Sequence, residues 1–361
     1  MKIGKSCFLE KQIQDQIISN KREGICNILG ITEEVYDTAI DTYLKDSFIE
    51  LLDSFSIVDK DFKLSFLKPK KLIDYLRDWN IFSNNENVDI ILILKSICPC
   101  YCKDNPLILT DEVYVNGLQT DEDYYKLSPL TKGTWNEFCS NIKHTNRFHS
   151  NYINLQKFRA LIEDSMSIEI EKGVLRLKRA RICDEKHYDN GYDCTELGAP
   201  PEHCATAGRA NSEGISCLYL ADTIETTLYE TRARDNDRLS IGTFEQIDNL
   251  CLVDFASLDS FSPMSADDFQ LDAFAANINF IKQIVNEVAK PLRRFDKTLD
   301  YLPTQYICDF IKFSGFDGIK YKSTLSPNGI NYAIFNSKKF KCIDVVNVCI
   351  KNMNFEWEVL K

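Results

Sequence analysis

The residues able to do chemistry in this chain are arginines, a tyrosine, a glutamate and a serine, not a histidine cluster or a glycine-rich phosphate loop. Glu230 closes the stretch CLYLADTIETTLYE at 217–230. Cys217 to Ala221 are apolar or small and read as a buried strand. Asp222 is then expected to cap a short helix, with Glu225 three residues on, as in a capping box. Glu230 falls on the second turn of that helix, on the same side as Thr226 and Thr227. A carboxylate there is either a solvated helix residue or a positioned catalytic group, and the window alone leaves both readings open.

The arginines come next. In LRLKRARIC, strand alternation sets Leu175, Leu177, Arg179 and Arg181 on one face and Arg176 and Lys178 on the other. An arginine at the end of an apolar face must find an anion or an acceptor, because an unpaired buried guanidinium is costly. An internal salt bridge meets that need as well as a ligand does. AGRANSEG at 207–214 is rich in turn formers and carries Arg209 just before the strand that holds Tyr219. Ser323 lies just past a strand in YKST, where a turn serine is the ordinary reading. Asn331 begins the following strand in NGINYAIF.

Other chemistries are poorly represented. There is no Rossmann or P-loop glycine fingerprint, no HExxH and no GxSxG elbow. With four histidines in 361 residues, a histidine-rich metal centre is not expected. The net charge of −11 argues against general nucleic-acid binding, which is built from Lys and Arg clusters, yet allows a local cationic pocket. The longest apolar run, near 90–95, is far too short to cross a bilayer. The N-terminal residues lack a signal-peptide core. A cytoplasmic protein without a membrane partner is expected. The fourteen cysteines sit mostly among apolar positions and are expected to be reduced core residues.

The elements that must position these residues fall into two textures. Residues 1–165 read as mostly helical, with a 3.6-residue apolar period from Val35 to Phe55 that predicts a long amphipathic helix over 32–56. Further helices are expected at about 69–79, 86–97, 132–144 and 152–165. Residues 166–361 read as short strands interrupted by helices at about 223–233, 267–289 and 303–314, the last with Pro303 in its first turn. The expected fold is α+β: a helical N-terminal domain, then a domain with a mixed or antiparallel sheet.

Taken in order, RAR at 179–181, LGAPP at 197–201, GRANSEGISCLYLAD at 208–222 and ETTLYETRA at 225–233 resemble the RES family of bacterial toxins. The likeness continues through LCLVDF at 250–255, YLPTQYICDFIKFSGFDGIKY at 301–321 and NGINYAIF at 328–335. It implies an ADP-ribosyltransferase-like fold that holds NAD+ as substrate. It places the family's Arg, Glu and Ser at Arg181, Glu230 and Ser323, with Arg209 and Tyr219 matching a second arginine and a strand tyrosine. It implies splitting of NAD+ at the nicotinamide bond or transfer of ADP-ribose to a protein, and restraint by a helix-turn-helix antitoxin. With SCFLEKQIQDQIISNKREGICNILG at 6–30, LRDWNIF at 76–82 and TWNEFCSNIKHTNRF at 134–148, the N-terminal half more loosely resembles the HEPN-like helical extension found before some RES domains. Such extensions tend to carry cysteine pairs spaced like metal ligands. Here Cys7 and Cys26 remain, but CNIL at 26–29 lacks the second cysteine, and CPCYC at 98–102 is not a usual zinc spacing, so no metal is expected.

Cleavage of the nicotinamide–ribose bond passes through an oxocarbenium-like state, as glycoside hydrolysis does. Glu230 is expected to stabilise that charge, Arg181 and Arg209 to grip the diphosphate, and Tyr219 to stack on nicotinamide or place the ribose. Ser323 is expected to donate to a ribose or phosphate oxygen, supported by Asn331. The leading expectation is an NAD+ glycohydrolase or phosphorylase. A protein ADP-ribosyltransferase and a non-catalytic interaction protein on the same fold are the alternatives. The N-terminal half is expected to regulate or to build a homo-oligomer.

Overall fold

The computed structural model describes residues 1–65, 68–260, 262–265, 270–290 and 298–352. Two compact units are present, Met1–Thr134 with Ser257–Ile281, and Trp135–Ala256 with Lys282–Lys361.

In the first unit, β1 (Lys2–Gly4), β2 (Glu23–Ile25) and β3 (Thr32–Asp37) form an antiparallel sheet with β3 in the middle. A second antiparallel sheet joins β4 (Phe55–Ile57) and β5 (Lys70–Lys71) to a central β6 (Glu112–Val115). Around them lie α1 (Lys11–Ser19), α2 (Lys45–Asp53), α3 (Leu72–Asp78), α4 (Ile90–Ile97), α5 (Pro99–Asp104) and α6 (Asp121–Leu127). Phe8, Phe48 and Phe82 meet in its core with ring centroids 5.2–6.2 Å apart.

The long helix expected over 32–56 does not form. Thr32–Asp37 is a strand, with Tyr36 opposite Ile3 and Val35 opposite Gly4. The chain then turns on aspartates. Asp41 Oδ2 accepts from the Asp37 N–H at 2.8 Å, and Asp37 Oδ1 accepts from the Ala39 N–H at 3.1 Å. Such side-chain bonds offer the backbone an alternative to the helix ladder. Helix resumes only at Lys45–Asp53, where Phe48, Leu51 and Leu52 of the apolar period are buried. The helical texture expected of this half is thus shared with two small sheets.

The second unit is built on an eight-stranded sheet. Its strands are β7 (Ser167–Ile170), β8 (Arg176–Ile182), β9 (Leu218–Ala221), β10 (Arg238–Gln246), β11 (Leu250–Asp254), β12 (Gly318–Lys322), β13 (Ile330–Ile334) and β14 (Phe340–Cys349), in the order β14-β10-β8-β9-β13-β12-β11-β7. β11 and β12 are parallel and the other neighbours antiparallel, so the sheet is mixed, as the α+β reading expects. The alternating apolar residues Leu177, Leu218, Leu220, Leu252 and Ile334 share one buried cluster.

Helices α7 (Trp135–His144) and α8 (Leu155–Ser165) belong to this unit. Phe138 meets Tyr306 edge-on at 5.5 Å, and Phe158 stacks on Phe310 at 5.7 Å, both partners being on α11 (Leu302–Phe313). The change of texture near residue 165 is therefore a change of secondary structure within one compact unit. Between β9 and β10 runs α9 (Ile224–Thr231), and α10 (Leu271–Ala289) precedes α11. Residues 267–269 of the expected 267–289 helix lie outside the described residues. Among the described residues no helix is long and apolar enough to cross a membrane.

Candidate functional site

The helix that presents Glu230 is capped one residue later than the sequence implies. Asp222 is still tied to the sheet, its N–H donating to Ile330 O at 3.0 Å. Thr223 therefore becomes the N-cap, with its hydroxyl accepting from the Thr226 N–H at 3.1 Å. Asp222 instead takes a bond from the Thr226 hydroxyl at 2.9 Å, and Glu225 is exposed rather than part of a capping box. Thr226 and Thr227 are buried, which fixes the rotation of α9 and leaves Glu230 on its open side.

Glu230 Oε1 accepts two hydrogen bonds, from Ser323 Oγ at 2.7 Å and from Asn331 Nδ2 at 2.7 Å. Neither donor is free to turn away. The Ser323 hydroxyl itself accepts from the Leu325 and Ser326 N–H groups at 3.2 and 3.0 Å. A hydroxyl has one proton and two acceptor positions, so with both acceptors taken by loop amides its proton is directed at Glu230. Asn331 is 5% exposed and lies on β13, paired with Tyr321 of β12 on one side and Ala221 of β9 on the other. The carboxylate is thus oriented by a rigid strand and a closed turn while remaining open to solvent.

A second group surrounds Arg209. The Tyr219 hydroxyl donates to Asn211 Oδ1 at 2.7 Å and accepts from the Ala210 N–H at 3.1 Å, so it is spent on the loop that carries Arg209. Burial holds the Tyr219 proton well above the usual tyrosine range, with the neighbouring Cys217 and Tyr321 adding to the effect. Buried Asn211 donates to Thr206 O, Ser212 O and Ile215 O at 2.9–3.1 Å. The Arg209 guanidinium reaches the end of α10 and donates to Glu287 O and Val288 O at 3.0 and 3.1 Å. A cation at the last carbonyls of a helix is favourable. Arg209 also borders a polar cavity of about 230 Å³ with Lys143, Lys290, Glu287, Asp300 and Tyr301.

Buried Tyr321 stands opposite Asn331 in the β12–β13 pair. Its phenol is pushed up first by burial and then by the Glu230 carboxylate, while Arg209 acts in the opposite direction. Both charges therefore lie within electrostatic reach of one buried ring.

Although they share one face of β8, Arg179 and Arg181 differ in exposure to solvent. Arg181 is exposed, donates to Glu196 O at 3.2 Å and lies 4.1 Å over the Tyr192 ring. Arg179 donates to Tyr219 O at 3.1 Å, and its Nε is buried without a partner. Burial lowers its pKa first, with the Arg181 charge second. Of the six singled-out residues, the fold brings together Glu230, Ser323 and Asn331, joins Arg209 to Tyr219, and engages Arg181 with Glu196 and Tyr192. Sequence reading passed over Asn211 and Tyr321. The turn-rich setting of Asn211 was the one signal available, whereas the pairing of Tyr321 with Asn331 exists only in the folded sheet.

Cys7 and Cys26 lie in the first unit with Sγ atoms 3.6 Å apart, both as free thiols. Among the described residues no three His, Cys, Asp or Glu side chains gather as a metal site requires.

No curated protein matches the chain. A solved structure titled as the M. tuberculosis MbcT–MbcA toxin–antitoxin complex contains a chain of which 91% is covered by 53% of this one, at 12% identity and a TM-score of 0.33, a likeness too slight to carry an argument. Residues 177–358, half of the chain, match the family model described as the RES domain. That span takes in the whole of the Glu230, Ser323 and Asn331 constellation and the Arg209 loop, and the chain belongs to the RES-domain family.

Proposed function

We propose that this chain cleaves the nicotinamide–ribose bond of NAD+ and acts as the toxin of a toxin–antitoxin pair. The observation that carries the reading is the single Glu230 oxygen held between Ser323 and Asn331 at 2.7 Å each. A carboxylate oriented in this way, open on its other side, suits the positive charge that develops on the ribose as the C1′–N bond lengthens. The bonding pair leaves with nicotinamide, which is neutral once released. Water or phosphate then adds at C1′, and with water a proton is given up to solvent.

Arg209, whose charge reaches the Tyr321 phenol as that of Glu230 does, is the candidate for the diphosphate, and the polar cavity beside it offers room for an anionic group. Its guanidinium bonds two main-chain carbonyls, contacts that a diphosphate oxygen outcompetes through charge. Arg179, half-buried and bonded to the Tyr219 carbonyl with an unpartnered Nε, supplies a further fixed cation in the sheet, and Arg181 a more exposed one. The partner expected of such a toxin is a helix-turn-helix antitoxin.

The test is NAD+ consumption by the purified full chain, with and without phosphate, beside Glu230→Gln. Consumption that disappears in the variant supports the reading, and ADP-ribose or its 1″-phosphate identifies the acceptor. Label from NAD+ appearing on protein would replace it with protein ADP-ribosylation. An equal rate in the wild type and Glu230→Gln would overturn the role of Glu230.

A further inference from the structure

Arg209 lies between the helical turn Glu202–Cys204 and β9, in a loop held by buried polar groups. One of them comes from a distant element. Gln305 is 4% exposed and stands in the first turns of α11, whose Ile307, Cys308 and Ile311 are completely buried. Pro303 in the first turn favours starting the helix there, so the position of Gln305 is set by a rigid element. Its Nε2 donates to Gly208 O at 2.7 Å and to Asn211 O at 3.0 Å, the carbonyls that bracket Arg209. Its Oε1 accepts from Ser212 Oγ at 3.4 Å.

The loop is pressed against its other support equally closely. A Cβ on Gly208 would come within 2.6 Å of the Tyr219 hydroxyl and 2.7 Å of Asn211 Oδ1. The Gly208 N–H also bonds Asn211 O at 2.9 Å, closing the turn under the arginine. Arg209 thus projects from a turn gripped on one side by Tyr219 and on the other by Gln305.

We propose that Gln305 is a positioning residue for Arg209: it clamps the two carbonyls that bracket the arginine and so fixes where the guanidinium meets an anionic substrate. This rests on the reading of the cleft as an NAD+ site. A diphosphate grip is made equally in the ground state and the transition state, so its loss shows in KM rather than in kcat.

The experiment compares wild type, Gln305→Met, Arg209→Lys and the double variant as full chains, by NAD+ kinetics and by amide hydrogen exchange at 208–212. Gln305→Met keeps the length of the side chain and removes both donors. The expected result is a KM for NAD+ raised about tenfold with kcat within about twofold. Exchange at 208–212 quickens, and Gln305→Met adds little once Arg209 is lysine. Should Gln305→Met not fold, Gln305→Asn, with the carboxamide one methylene short, carries the same expectation in smaller size. Faster exchange with an unchanged KM would overturn the positioning role while leaving the NAD+ reading intact. Unchanged exchange would remove the clamp itself. Wild-type protein that neither binds nor turns over NAD+ would remove the cleft reading, and with it this role of Gln305.

Discussion

The Ser323 hydroxyl and the Asn331 carboxamide donate to the same Glu230 oxygen, each at 2.7 Å. Residues 93 and 101 positions away from the glutamate thus meet on one atom. Ser323→Ala and Asn331→Leu each remove one of the two donors, and each is expected to lower kcat for NAD+ cleavage by about tenfold or more through lost orientation. The double variant should fall well short of the product of the two losses, since both act on one carboxylate. Steady-state kinetics on the purified chain checks this, and multiplying losses would mean that the two act separately.

Tyr219 holds the Arg209 loop through a hydroxyl that both donates and accepts. Tyr219→Phe leaves Asn211 Oδ1 and the Ala210 N–H short of a partner, at an expected cost of about 1–3 kcal/mol in urea unfolding at neutral pH. The native phenol keeps its proton well above the usual range, whereas the unfolded chain loses it near about pH 10. Between those two values the folded state binds the extra proton, so this group leaves stability undiminished below about pH 10 and lowers it as the pH climbs further. The alkaline fall in stability should accordingly be shallower in Tyr219→Phe than in the wild type.

Gly208 has no room for a methyl group, because one would press on the Tyr219 hydroxyl and Asn211 Oδ1 at 2.6 and 2.7 Å. Gly208→Ala must displace one of them. The expected result is a loss of about 1–3 kcal/mol. Weaker NAD+ binding should accompany it, measured by calorimetry at a temperature where the variant is still folded.

Strands β11 and β12 are joined by an ion pair between Asp254 and Lys320, which face each other in the parallel register. Their Oδ2 and Nζ lie 2.8 Å apart, and the Asp254 side chain is 6% exposed. Asp254 also accepts from the Ala256 N–H at 2.9 Å. Asp254→Ala should cost about 3 kcal/mol by leaving the lysine without its carboxylate. Lys320→Met should cost at least as much, because it leaves the more buried Asp254 carboxylate without its cation. A clearly smaller loss for Lys320→Met than for Asp254→Ala in denaturant midpoints would count against this account.

Much of the second unit was legible from local pattern. Strand alternation located β8, the apolar run from Cys217 to Ala221 located β9, and Pro303 marked the start of α11. The first unit was less legible, because Val35 and Tyr36 satisfy a helical period as well as a strand. The aspartate turn at 37–41 was decided by hydrogen bonds rather than hydropathy. The cap of α9 moved from Asp222 to Thr223 because the Asp222 N–H is held by Ile330 O of the neighbouring strand.

By itself the sequence determined which residue types were available and on which side of a strand or helix each would stand, since those depend on periods of two and 3.6 residues. It singled out Glu230, Ser323 and Asn331 one by one. Their meeting on a single carboxylate oxygen was decided by the tertiary structure, because β9, β12 and β13 must pair before these residues share a site. The same holds for the arginines: alternation puts Arg179 and Arg181 on one face, but only the folded sheet gives Arg179 the Tyr219 carbonyl and leaves Arg181 exposed over Tyr192.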